Sequence, residues 1–387
     1  MADNSFLLYA GGYWTTTSAA YFSHQNTRIE SGEINGTCLP LDTVGIMNGC
    51  IDALYQVELY PEMAYNNTYD FQAISKDMYE DALNNFTKPG GCRDQILECR
   101  ALGETYDPYE TAINATVNDV CVAATVWCAQ YVQGAYFASN RSAFDMQDTL
   151  PDPLPPGYVI GFFNQEWVQQ ELGAHVNFTS DSLLINNIFL YLTGDPARRA
   201  GMLDMEYLLS SGVKIALVYG DRDYRCPWLG AENLSLKANW IGAEEFRAAG
   251  YETIEVNPSY TGGVVRQHGN LSFSRVFDAG HDVSWYQPET VYTIFNRAMF
   301  DTDVATGRFP TNGVGNNYTT SGPLSSWQWK NSLGPSPKVQ CYIYLVPSTC
   351  TAEQYAALQN GTAEIVDFIV VKPDGSDGVP IGSNLGG

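Results

Sequence analysis

The sequence predicts an α/β fold, and three observations carry the prediction. Residues 214–219 (Lys-Ile-Ala-Leu-Val-Tyr) are a continuous apolar run of strand length, the mark of a strand buried on both faces. Such runs alternate with helical patterns, which favours a mainly parallel sheet. Two polar loops, 220–230 and 278–289, each follow a predicted strand directly, at the sheet edge where α/β proteins place their sites.

In chain order, residues 5–9 are short and apolar and lead into Gly11-Gly12, then a helical stretch over about 15–28. Residues 41–47 read as a strand ending at Asn48-Gly49. From 51 to 142 the pattern is helical, with Cys92, Cys99, Cys121 and Cys128 grouped in it. Residues 150–157 (Leu-Pro-Asp-Pro-Leu-Pro-Pro-Gly) form a linker, because four prolines forbid a helix or central strand. Asp195-Pro196 supplies a cap and a first-turn proline for a helix that stops at Gly212. Residues 271–277 alternate like a strand. Gln287-Pro288-Glu289 opens a helix whose Val291, Ile294, Phe295, Ala298 and Met299 share one apolar face. Beyond about 302 the chain turns into a Gly/Ser/Thr/Asn-rich tail, expected to be loosely ordered and anchored by Cys341 and Cys350.

The 387 residues carry 43 acidic against 20 basic side chains, a net charge of −23. Such a surface repels phosphates, which argues against nucleic acid and anionic membranes as partners. No apolar run approaches the roughly 20 residues that span a bilayer. With 13% aromatic residues, the chain is not intrinsically disordered. None of the nine cysteines has Cys-x-x-Cys spacing, so no zinc or redox motif is expected, and the odd count leaves a free thiol. Ten Asn-x-Ser/Thr sequons, at Asn35, Asn66, Asn85, Asn114, Asn140, Asn177, Asn233, Asn270, Asn317 and Asn360, exceed what 26 asparagines give by chance. They point to a glycosylated protein on the secretory route. Residues 1–14 do not have the form of a signal peptide, so the expectation is that the natural amino terminus lies upstream.

The chemistry concentrates in the two loops. The first reads Gly220-Asp221-Arg222-Asp223-Tyr224-Arg225-Cys226-Pro227-Trp228-Leu229-Gly230. The second contains Ala279-Gly280-His281 and ends in Gln287-Pro288-Glu289. A carboxylate followed by an imidazole on successive strand ends is the second half of an α/β-hydrolase triad, whose nucleophile comes earlier in the chain. In that arrangement the acid orients the imidazole and the imidazole moves the proton.

These loops resemble those of the secreted fungal serine carboxypeptidases, as do residues 44–52 (Val-Gly-Ile-Met-Asn-Gly-Cys-Ile-Asp) and 60–64 (Tyr-Pro-Glu-Met-Ala). The resemblance covers about residues 9–300. It implies an α/β-hydrolase fold with a helical, disulfide-linked cap insertion, and makes Asp223 the catalytic acid and His281 the catalytic base. It implies Cys92–Cys128 and Cys99–Cys121 bridges in the cap, and makes Cys226 a free thiol beside the substrate pocket, the alternative being a Cys226 bridge elsewhere. Cys38 and Cys50 either pair with each other, or Cys50 has a partner upstream of Met1. The substrate would be the C-terminus of a peptide or protein, with no cofactor and no metal, and the location extracellular or vacuolar.

The pattern departs at the nucleophile. The family motif Glu-Ser-Tyr-Gly-Gly aligns on Gly11-Gly12, which puts Tyr9 where the serine stands and Leu8 where the glutamate stands. The family's Asn-Gly-Gly-Pro-Gly loop, which supplies an oxyanion donor and grips the terminal carboxylate, has no counterpart here. The expectation is therefore a hydrolase fold lacking its first strands and impaired or inactive, or else a non-catalytic secreted glycoprotein on a hydrolase scaffold. Residues 1–50 would be a remnant of the hydrolase core, 51–150 the cap, 151–300 the half of the core with the Asp and His loops, and 301–387 the tail.

Overall fold

The computed structural model describes residues 3–8 as backbone and residues 11–198, 200–311 and 318–373 in full. Six strands form one sheet: β1 (Asp3–Leu8), β2 (Leu41–Met47), β3 (Lys214–Gly220), β4 (Glu252–Asn257), β5 (Tyr260–His268) and β6 (Leu271–Val276). Their spatial order is β1-β2-β3-β6-β5-β4. The β1-β2, β2-β3 and β3-β6 pairs are parallel. Both faces of the central strands are covered: Val44, Ile46, Leu217, Val218 and Phe273 have no exposed surface, and β6 is buried throughout although its sequence alternates.

The sheet is more mixed than the sequence predicts. β4 and β5 form an antiparallel hairpin that joins the sheet through an antiparallel β5-β6 pair. Neither strand is marked by a continuous apolar run. β4 is a partly exposed edge whose Thr-Ile-Glu-Val alternates.

Helix α1 (Gly11–Glu30) starts against the turn that follows β2. There the backbones meet so closely that a Cβ on Gly12 would lie 2.2 Å from the Cys50 carbonyl oxygen. Helices α2 (Cys92–Tyr106) and α3 (Ala115–Cys128) form a disulfide-linked pair. Cys92 joins Cys128 and Cys99 joins Cys121. In each helix the two cysteines stand two turns apart on one face, so antiparallel packing brings both pairs into register. Asn114 caps α3 by accepting from the Val117 amide at 3.2 Å.

The helix expected from Asp195 to Gly212 is broken into Asp195–Arg198 and α4 (Gly201–Ser210). The break serves two contacts. Arg198 turns inward to pair with Asp107 at 2.8 Å, both side chains being buried. Gly201 presses on the Ile51 carbonyl, 2.3 Å from where its Cβ would stand. Helix α4 meets α1 through a Thr17–Asp204 hydrogen bond and the stacked rings of His24 and Tyr207. Helices α5 (Trp228–Lys237) and α6 (Pro288–Met299) follow the two polar loops, α6 burying Val291, Ile294 and Ala298.

The chain divides into two compact units, 1–146 with 188–333, and 147–187 with 334–387. The proline-rich segment opens the second unit. That unit holds the Cys341–Cys350 bridge, the helix Ala352–Asn360 with a Thr351/Gln354 capping box, and a short hairpin, Glu364–Val366 with Ile369–Lys372. Residues 341–372 are thus folded rather than loose.

Gly12→Ala forces a methyl group into the Cys50 carbonyl, and backbone cannot yield as a flexible side chain would. It is expected to cost about 1–3 kcal/mol, the usual range for overpacking. An unchanged urea midpoint would show that the α1–β2 turn contact is not tight.

Candidate active site

β3 and β6 are parallel neighbours that end together, with Gly220 opposite Val276. The loops that follow therefore emerge side by side at the carboxyl edge of the sheet. They are tied to each other by backbone: the Asp221 amide donates to the Val276 carbonyl at 3.0 Å and the Arg222 amide to the Ala279 carbonyl at 2.9 Å. A Cβ on Gly220 would lie 2.4 Å from the Gly280 carbonyl, so only glycine allows this approach.

Asp223 is fully buried and its carboxylate is saturated. One oxygen accepts the Arg225 amide at 2.7 Å; the other accepts the Cys226 amide at 3.2 Å and faces His281 Nδ1 at 2.8 Å. His281 is mostly buried, its backbone amide donates to the Phe144 carbonyl at 2.7 Å, and its ring lies 5.4 Å from that of Phe144. The segment around Phe144 also receives the Tyr224 amide on the Ala143 carbonyl, while the Met146 amide donates to the Arg222 carbonyl. It thus clamps both loops.

Beneath the acid loop lies an ion pair with no exposed surface, Arg275 to Asp221 at 3.0 Å. Arg275 also donates to Thr68 Oγ1 and to the Ser326 and Trp329 carbonyls, and Tyr69 donates to Asp221 at 2.5 Å. Burial pushes the Asp221 carboxyl up from its ordinary value, and Arg275 pulls it back. The first aspartate of the loop is structural, and the second faces the histidine.

Asn48 is the residue whose role the sequence did not reveal. It sits just past β2 with φ of +41°, a conformation asparagine tolerates better than most residues. Its side-chain oxygen accepts the Gly220 amide at 2.8 Å, and its amide donates to the Gly280 and His281 carbonyls at 2.9 Å each. One buried side chain thus holds the acid loop and the histidine loop at once. The sequence signals were a polar residue ending a strand and its place in the 44–52 stretch that resembles the family, neither of which gives its partners.

Cys226 is not a free thiol. It forms a disulfide with Cys50, the two Cα atoms being 5.3 Å apart. The reason is strand order: β2 and β3 are adjacent and parallel, so residues just past their ends meet at one edge, at a separation a disulfide spans. Cys38 is the free cysteine, half-buried and bonded to Cys50 in no way. Beside the bridge lies a cavity of about 170 Å³. Tyr13, Tyr60, Phe137, Leu190, Tyr224 and Arg225 are among its walls. Burial, with the charge of Asp52, pushes the Tyr13 hydroxyl well above its ordinary value, so it stays neutral at any physiological pH. The Tyr9 and Leu8 side chains, assigned to the nucleophile motif, lie outside the described residues, as does Asn317. Among the described residues there is no cluster of three metal-ligating side chains.

A mixed sheet with an Asp–His pair at its carboxyl edge and a disulfide-linked helical insertion defines an α/β hydrolase. A model of the serine carboxypeptidases matches residues 8–301, and the chain belongs to that family. It is 43% identical over 379 residues to a carboxypeptidase S1 homolog A of Arthroderma benhamiae, covering 96% of this chain and 58% of the relative. It is 41% identical to a carboxypeptidase Y homolog of the same organism, covering 94% and 58%. Carboxypeptidase S1 of Penicillium janthinellum is 27% identical over 75% of this chain and 64% of its own length. In structure the chain is similar to Kex1(delta)p, a prohormone-processing carboxypeptidase of Saccharomyces cerevisiae, with a TM-score of 0.50 at 16% identity over 82% of this chain and 65% of that one. The chain therefore spans less than two thirds of the length of the first relatives it matches.

Asn48→Ala removes three buried hydrogen bonds and strands the Gly220 amide. It is expected to cost about 1–3 kcal/mol in stability and to broaden the His281 ring resonances in NMR spectra. Sharp, unshifted resonances would show that Asn48 does not position the histidine.

Proposed function

We propose that this chain carries the acid–base and recognition half of a serine carboxypeptidase, with acyl transfer impaired. The observation that carries this reading is the 2.8 Å contact between buried Asp223 and His281 Nδ1, beside a side-chain-sized cavity. In this chemistry Asp223 fixes the tautomer and orientation of His281, and proton transfer falls to Nε2. A serine hydroxyl gives its proton to His281 and attacks the carbonyl before the last residue. The protonated histidine returns the proton to the departing amine, which frees the C-terminal amino acid. Water then repeats the sequence and releases the acyl group. The substrates would be peptides or proteins with a free C-terminus.

The residue aligned with that serine is Tyr9, whose phenol is a bulky and poor acyl-transfer nucleophile. This sequence feature favours a second reading, in which the chain binds peptides on a hydrolase scaffold without cleaving them. Groups that act as a unit lose their separate effects once one is gone. A fluorophosphonate probe is accordingly expected to leave the chain unlabelled. Release of leucine from blocked dipeptides at acid pH should be slow and no slower in His281→Ala. Labelling, or a further drop in His281→Ala, would reveal a working nucleophile and overturn the impairment.

We place the protein outside the cell or in the vacuole, as a glycoprotein. The four disulfides support an oxidising compartment. No helix among the described residues is long and apolar enough to cross a membrane. The sequons differ in how far their amides are committed. Asn35, Asn140, Asn177 and Asn360 are exposed, whereas the Asn233 amide donates to the Tyr55 carbonyl and to Glu58. Mass spectrometry after endoglycosidase treatment should find glycan scars at Asn35, Asn140, Asn177 and Asn360 and none at Asn233. Full occupancy of Asn233 would contradict that packing.

A further inference from the structure

Arg225 occupies an unusual position. Its backbone is fixed on both sides, the amide donating to Asp223 at 2.7 Å and the carbonyl accepting the Tyr60 hydroxyl at 2.5 Å. The residue is exposed and lines the cavity beside the Cys50–Cys226 bridge. Among the described residues its guanidinium has no ion pair and no hydrogen bond. The nearest carboxylate in sequence, Asp223, is already saturated by two amides and His281. Arg225 lines the cavity together with Tyr13 and Tyr60.

We propose that Arg225 is a specificity residue that selects peptides presenting an acidic side chain to this cavity. The inference rests on the carboxypeptidase reading and refines it. The rest of the wall carries no charged side chain: Tyr13, Tyr60, Phe137 and Leu190 offer apolar surface to the stem of a side chain, and the guanidinium would meet its end. An arginine fork offers paired donors that fit a carboxylate, and such charge-assisted bonds are the strong ones. A lysine or arginine side chain entering the same space meets a like charge, a built-in rejection. The chain's overall −23 charge does not cancel this preference, because at physiological ionic strength it is screened beyond about 8 Å.

A peptide carries two kinds of carboxylate, on its side chains and at its terminus, and the test separates them. Binding of benzyloxycarbonyl-Glu-Leu, -Gln-Leu and -Arg-Leu, each as free acid and as C-terminal amide, is measured by isothermal titration calorimetry, which needs no turnover. The Glu peptide should bind about tenfold more tightly than the Gln peptide, and the Arg peptide most weakly. Arg225→Gln should abolish the Glu-over-Gln difference, and Arg225→Lys should keep part of it. Equal binding of Glu and Gln peptides, or a preference that survives Arg225→Gln, overturns the inference while leaving the carboxypeptidase reading intact. Loss in Arg225→Gln of the acid-over-amide difference alone would assign the guanidinium to the terminal carboxylate and overturn the side-chain assignment. Failure of every peptide to bind would overturn both readings.

Discussion

The site depends on one buried amide. Asn48 follows the apolar strand β2 and spends its side chain on three backbone groups belonging to two other strand ends. A buried polar side chain is costly unless its hydrogen bonds are made, and here they are made only when the Asp and His loops stand at the right height relative to each other. The burial cost of the amide thus becomes a constraint on the distance between Asp223 and His281. The 143–146 segment adds a second clamp, and the Arg275–Asp221 pair fixes the floor of the acid loop. Buried ion pairs seldom add net stability, but removing one partner from such a pair is costly, so the floor tolerates little rearrangement.

The edge of the sheet also sets the covalent framework. Cys50 lies two residues past Asn48, and Cys226 three residues past Asp223. Their bridge fastens the end of β2 to the acid loop after β3, a junction that Asn48 also holds by its hydrogen bond to Gly220. The cavity beside it draws its walls from the start of α1, from the disulfide-linked α3, and from the acid loop. The cavity wall and the Asp–His pair are therefore built on one edge of the sheet.

Membership of the serine carboxypeptidase family rests on a match over residues 8–301 and on relatives 41–43% identical over nearly the whole chain. The chain spans 58% of the length of those relatives. The fold and the placement of the Asp and His loops are properties of the residues present.

The sequence by itself determined the elements with a strong local signal. Residues 214–219 read as a buried strand because a continuous apolar run has no exposed face to offer, and residues 41–47 read as a strand ending at Asn48-Gly49. The helix from Pro288 was legible in its cap and its apolar stripe. The order of aspartate before histidine, each just past a strand, marked the candidate site. Tertiary structure decided what depends on strand order. It set the β4–β5 hairpin against the parallel core, broke the 195–212 helix to bury Arg198, and joined 147–187 with 334–387 in one unit. It also paired Cys226 with Cys50 across 176 residues, where the family resemblance had implied a free thiol. Periodicity reports which face of a segment is buried. It carries no information about which distant segment covers that face, and the meeting of β2, β3 and β6 at one edge is what turned Asn48, Cys50 and Arg225 into parts of the site.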